Sequence, residues 1–307
     1  MNLISLLITV AGLGLFEIVS SVDNAIINAG VLTTMKPKYR RWFMVWGLLI
    51  AVVCVRGLLP WIIVWAVTPS LGPIGALTAT FSNNPSVHAA IASSAPMLLI
   101  GGGTFLIFLF FNWLFCEPKS YGLIGERYIH SKGVWFYAVI SILLVVIVWQ
   151  AIQINPFMAL GAVVGSTAFF ITHGFKQNAE EKERTLKKGS LSDISKILYL
   201  EIIDATFSID GVLGAFAFTL SVPLIMLGNG LGALVVRQMT MGNIKRVQQY
   251  IYLKNGAMYS ILVLGIIMLL DSFGAEIPSW FSPLITFLII GFFFYKSKLY
   301  LQRQVAK

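Results

Sequence analysis

The chain is 307 residues long, 57% hydrophobic and 11% charged, with a mean hydropathy of +0.83, where soluble domains hold ~45–50% apolar and ~25% charged residues. That balance excludes a soluble domain and defines a polytopic membrane protein. The net charge of +9 raises nucleic acid as a partner, but the placement of the basic residues along the chain argues against it.

A spanning helix needs about 20 mostly apolar residues. Nine stretches qualify: 3–32, 42–67, 97–115, 134–154, 156–172, 197–220, 222–236, 251–270 and 278–294. The first has no basic residue ahead of it and carries Glu17 and Asp23, which a cleaved signal peptide would not, so it reads as a span. Residues 68–96, rich in Gly, Pro, Ser, Asn and Ala, read as an outer loop or a re-entrant segment. Residues 174–195 mix Glu180, Glu181 and Glu183 with Lys182, Arg184, Lys187 and Lys188. They read as a charged cytoplasmic linker between a first transmembrane half, 1–173, and a second, 196–307.

Cytoplasmic loops carry the excess of Lys and Arg. With nine spans and the N-terminus outside, the basic clusters at 36–41, 119–132, 176–196, 237–254 and 296–307 all fall inside, and of the 22 basic residues only Arg56 does not. The positive charge is then a topology signal. The expected fold is an all-α polytopic membrane protein of nine transmembrane helices, C-terminus cytoplasmic, in a cell membrane such as a bacterial inner membrane.

The apolar stretch 201–219, EIIDATFSIDGVLGAFAFT, puts Glu201, Asp204 and Asp210 inside the lipid. On insertion scales each such carboxylate costs ~2.5–3.5 kcal/mol near the bilayer centre, so a cation, a basic residue, water or a proton must compensate. Residues 17–32 repeat the arrangement. Glu17 and Asp23 stand six apart, as do Asp204 and Asp210, with Ser21 and Ser208 each two before the second acid. Five spans separate the two motifs, so they enter the membrane from opposite sides as two inverted repeats, a plan that places substrate near the midplane. The segments GLLIAVVCVR (47–56) and GNGLGALVVR (228–237) add a second matched pair, ending in Arg56 and Arg237.

On a regular helix Glu17, Asn24 and Asn28 form one stripe, with Asp23 about 120° away. One ion reaches both acids only if the helix breaks between them, which Gly12, Gly14, Ser20 and Ser21 permit in the first motif and Gly211 and Gly214 in the second. The ligand inventory is oxygen alone: Glu17, Asp23, Asn24, Asn28, Asp204, Ser208 and Asp210, with Glu201 as a ligand, a relay or the mouth of the pathway. Neither motif holds His or Cys, and oxygen-only sites suit Mn, Ca or Mg over Zn or Cu. The surplus negative charge is balanced by protons, by Arg56 and Arg237 or by a second cation, which points to exchange of metal for protons. The bland alternatives are acids paired with Arg56 and Arg237 to fix helix packing, and Asn24, Asn28 and Ser208 as interhelical hydrogen-bond glue. Gly101 to Gly103 have no Lys after them and read as close packing or a bend.

Taken together, the E-x5-D-N motif of the first span, the E-x2-D-x5-D motif of the sixth with AFAFT after it, and N-x7-R from Asn229 to Arg237 resemble the TerC integral membrane family. That family is related to the LysE superfamily of exporters, and its members are implicated in exporting manganese or supplying it to secreted metalloenzymes. The resemblance covers both halves and implies metal ligands at Glu17, Asp23, Asn24, Asp204 and Asp210. Gly211 and Val212 stand where many members have Ser-Val-Pro, which marks a divergent branch. The expected function is export of a divalent cation, manganese ahead of calcium and magnesium, by alternating access over intramembrane carboxylates with proton coupling and no catalytic residue. The alternatives are an exporter of an amino acid or other small organic cation, and a metal-supplying partner of the secretion machinery. An intramembrane aspartyl protease fits poorly, because Asp23 follows Val22 and Asp210 follows Ile209.

Overall fold

A computed structural model describes residues 3–79, 85–188, 192–242 and 244–305. Their regular structure is all helical, as lipid demands, since it offers backbone groups no water to bond. The first apolar stretch is divided at Ser21 into α1 (Leu3–Ser20) and α2 (Val22–Leu32). Helix α3 (Pro37–Trp42) runs on into two wide π turns, Phe43–Gly47 and Ala51–Val55, on either side of the short α4 (Leu48–Ile50). Arg56 follows the second π turn, and α5 (Leu58–Val67) then bends by 104° into the segment holding α6 (Gly72–Thr78).

The long α7 (Pro85–Cys116) and the short α8 (Glu126–His130) lead to α9 (Phe136–Ile154) and α10 (Pro156–Lys188). Pro156 opens α10 where no helical N–H is needed, and Asn155 Oδ1 accepts from the Phe157 N–H at 2.9 Å. Helix α11 (Asp193–Ala215) is capped by Ser192, whose hydroxyl accepts from the Ser195 N–H. Then come α12 (Val222–Gly242), α13 (Ile244–Gln248), α14 (Leu253–Ser272) and α15 (Phe281–Val305). Gly274, at φ +90°, lets the chain leave α14 in the left-handed conformation that ends many helices.

Among the described residues seven helices are long and apolar enough to cross a membrane, and the bent pair of α5 with residues 69–78 makes an eighth candidate. This is a multi-pass membrane protein. Helix α11 is long enough to cross, but no membrane-length window of it avoids Glu201, Asp204 and Asp210. Several elements outrun the apolar stretches that announce them. The third starts at Pro85, so much of the polar 68–96 segment is helix; the fifth continues to Lys188, so the charged segment expected as a linker is helical that far; the seventh extends to Gly242.

Helix α7 is the axis of the bundle, with 89% of its apolar window buried, whereas the windows in α9 and α15 are 22% buried and face outward. It packs between α10 and α14. The close approach is made by Gly101, where a Cβ would stand 2.8 Å from the Gly161 carbonyl oxygen of α10, and by Gly103, where it would stand 2.9 Å from that of Gly265 in α14. Small residues let helix backbones touch where lipid gives no hydrophobic drive to association. Phe105, Leu106, Phe108 and Trp113 fill the core around these contacts. On the other side of the bundle α1 lies along α12, with α11 beside both.

Candidate functional site

The helix carrying Glu17 breaks just past that residue. Ser21 has φ −89° and ψ 5°, outside helical values, while its N–H still reaches Glu17 O at 3.0 Å and its carbonyl still accepts from Ala25. The interruption is therefore a kink that re-aims α2, not an unwound segment with free carbonyls. The second motif behaves differently: α11 is continuous through Asp204, Ser208, Asp210, Gly211 and Gly214 and ends only at Ala215.

Glu17 is completely buried. Its Oε1 accepts three hydrogen bonds, from Ser21 Oγ at 2.7 Å and from Arg56 Nε and Nη2 at 3.0 and 2.6 Å. Its Oε2 accepts none. That atom is directed at Gly211 of α11, where a Cβ would come within 2.6 Å of it. Arg56, 2% exposed, reaches further, with Nη1 3.5 Å from Asp204 Oδ2 and 3.5 Å from the Ala51 carbonyl. The Asn24 amide donates to Asp204 Oδ1. Glu17, Asn24, Arg56 and Asp204 thus form one cluster, in which residues of the first acidic motif meet one of the second.

Two further pairs flank this cluster. Asp210 is ion-paired to Lys176 of α10 through Oδ2, and its Oδ1 has no hydrogen-bond partner. Glu201 lies 3.7 Å from the Arg237 guanidinium, which stacks on Phe43 with its centre 3.9 Å from the ring centroid. Ser208 spends its hydroxyl on the Asp204 carbonyl at 2.6 Å. Asn28 is buried with its Oδ1 unpartnered. Asp23 lies in α2, and its side chain is outside the described residues.

Of the residues singled out in the sequence, Glu17, Asn24, Asp204 and Arg56 come together, Glu201 meets Arg237, and Asp210 is joined to the group through the Gly211 turn that faces Glu17. Among the described residues no three His, Cys, Asp or Glu side chains are gathered as they would be around a metal ion. Among the described residues four carboxylates (Glu17, Glu201, Asp204, Asp210) face three bases (Arg56, Lys176, Arg237), one acid more than base. Unpartnered buried oxygens occur on Glu17, Asn24, Asn28, Glu201, Asp210 and Asn229.

Two members of this group escape the sequence reading. Lys176 sits in a basic run that looks like loop, and its partner lies 34 residues away in the chain. Asn229 is fully buried, donates weakly to Gly211 O at 3.5 Å and leaves its Oδ1 unpaired. Its only signal was its place at the head of the N-x7-R segment. Another buried acid, Glu126, is by contrast fully satisfied, accepting from Gly122 N at 2.6 Å, Tyr259 Oη at 2.9 Å and Asn255 Nδ2 at 3.2 Å. It anchors the loop after α7 and is not available to a ligand.

These features define the class: an all-helical multi-pass membrane protein whose buried acids, bases and amides link α1, α2, α10, α11, α12 and the segment carrying Arg56. The chain belongs to the family described as "Protein of unknown function (DUF475)", whose model matches residues 22–304. No curated protein and no solved structure matches it.

Proposed function

We propose that the chain exports a divalent cation, manganese ahead of calcium or magnesium, by alternating access at the carboxylates of Glu17, Asp23, Asp204 and Asp210 with Asn24, protons returning as the metal leaves. The observation that carries this reading is the divided carboxylate of Glu17. One oxygen is loaded with three donors, while the other, fully buried, is bare and faces the Asp210–Gly211 turn. A desolvated, unpaired carboxylate oxygen is costly, and a hard cation or a proton relieves that cost. The surplus negative charge and the oxygen-only inventory favour the same class of ligand. In this reading the pairs with Arg56 and Lys176 are the metal-free resting arrangement. Asn28, Glu201 and Ser208 serve as further ligands or relays, and Arg56 and Arg237 as charge balance. The TerC-like motifs agree with it.

The same reading takes α11 and the segment from α3 to α5 as crossings alongside the seven apolar helices. That gives nine spans in two inverted repeats, with the N-terminus outside and the C-terminus in the cytoplasm of a bacterial inner-membrane protein.

A second reading, export of an amino acid or other small organic cation, is favoured by one observation: Asp210 is already met by an ammonium and Glu17 by a guanidinium, both supplied by the chain itself. Flux into inverted membrane vesicles, tested with manganese, calcium, magnesium, lysine and arginine with and without a pH gradient, separates the two. Manganese uptake that dissipates the gradient and disappears in Asp210→Asn at equal protein level is expected. Undiminished manganese flux in that variant refutes the metal reading, and amine-dependent uptake in its place supports the second.

A further inference from the structure

We propose that a groove on the outer surface of α3 and the first π turn binds the headgroup of one anionic phospholipid. The groove holds about 480 Å³ and is lined by Pro37, Lys38, Arg41, Trp42, Val45 and Trp46. Counted from Lys38, Arg41, Trp42 and Val45 stand three, four and seven residues on, the spacing of one helical face.

Among the described residues the two charges at its head are uncommitted. Neighbouring Arg40 is spent inside the protein, donating from Nε to the Met35 carbonyl at 2.8 Å and from Nη2 to that of Thr33 at 2.9 Å. Lys38 and Arg41 are exposed and make no hydrogen bond or ion pair among the described residues. Below them the surface turns apolar: Trp42 is 44% exposed, Val45 53%, Trp46 54% and Leu49 49%. Two unpaired cations above two tryptophans and an aliphatic track match a phosphate with an acyl chain beneath it. Tryptophan belongs at the depth of the headgroups, and basic pockets beside membrane helices select anionic lipids. A free phosphate would use the cations but not the apolar track.

The test uses the full-length purified protein in a neutral detergent, titrated with phosphatidylglycerol or phosphatidylcholine while native mass spectrometry counts bound lipids. Wild type is expected to hold one phosphatidylglycerol more tightly than phosphatidylcholine. Lys38→Gln with Arg41→Gln should weaken that lipid roughly 30-fold, while Lys298→Gln with Arg303→Gln, exposed charges on α15, should leave it unchanged. Equal retention of the two lipids, an unaffected double variant, or displacement of the lipid by millimolar inorganic phosphate overturns the proposal. Should the charge variant fail to fold, tryptophan quenching by bromine-labelled lipids supplies the second measurement. Phosphatidylglycerol must quench wild type more than phosphatidylcholine does, and Trp42→Phe with Trp46→Phe must abolish the difference.

Discussion

The buried pair of Glu17 and Arg56 lends itself to a double-mutant cycle with the substitutions Glu17→Met and Arg56→Met. Both side chains are out of contact with solvent, and the guanidinium places two nitrogens within 3.0 Å of one carboxylate oxygen. Removing one member of such a pair strands the other in a low-dielectric interior and costs about 3–5 kcal/mol. Arg56→Met is the worse of the two, because it strips the cation from Asp204 as well as from Glu17, whereas Glu17→Met leaves Arg56 its 3.5 Å contact with Asp204. At about 2–4 °C per kcal/mol, each single variant should lower the unfolding midpoint of the detergent-solubilised protein by roughly 6–20 °C. The double variant replaces the pair with apolar volume and leaves only Asp204 without its cation, so it should cost less than the sum of the singles by about 3 kcal/mol. Fluorescence-detected size exclusion after heating gives all three midpoints. Midpoints that add, or single variants within about 2 °C of wild type, would show that the two charges do not depend on each other.

Two further outcomes follow from geometry. Gly211→Ala places a methyl 2.6 Å from Glu17 Oε2, a carboxylate held from the other side by Ser21 and Arg56, so it should destabilise by about 1–3 kcal/mol and impair flux; Gly291→Ala, with open space around its Cβ position, should do neither, and equal thermal midpoints for the two would refute the contact. Just past the end of α7, burial would raise the Glu117 carboxyl, but the Lys254 ammonium 2.8 Å away, helped by Lys176 and His173, prevails and holds it below its ordinary 4.5. The stability this pair lends is complete above the ordinary value and is lost as pH falls through the lower folded one. Glu117→Gln should therefore lack part of the wild type's acid-side decline in midpoint, and superimposable decline curves below pH 4.5 would count against the pairing.

Much of the fold was legible because lipid leaves few choices: long apolar stretches become helices. Their ends were harder. Residues 85–96 are poor in large apolar groups, yet α7 starts there. The first acidic motif announced its own break, since Glu17 and Asp23 sit about 120° apart on a regular helix with serines between them, and the kink falls at Ser21. The same argument misjudged the second motif, where Gly211 serves close approach to Glu17 and not bending. Lys176 was hidden because positive charge after an apolar run is also the mark of a cytoplasmic loop, and only the tertiary fold brings it to Asp210.

The two π turns ahead of Arg56 each wind five residues where an α helix would be tighter. Such a turn stores a spare residue that can be handed along the strand of peptide bonds one step at a time. Arg56 therefore hangs from backbone that holds two turns of slack, directly beside the pair it makes with Glu17.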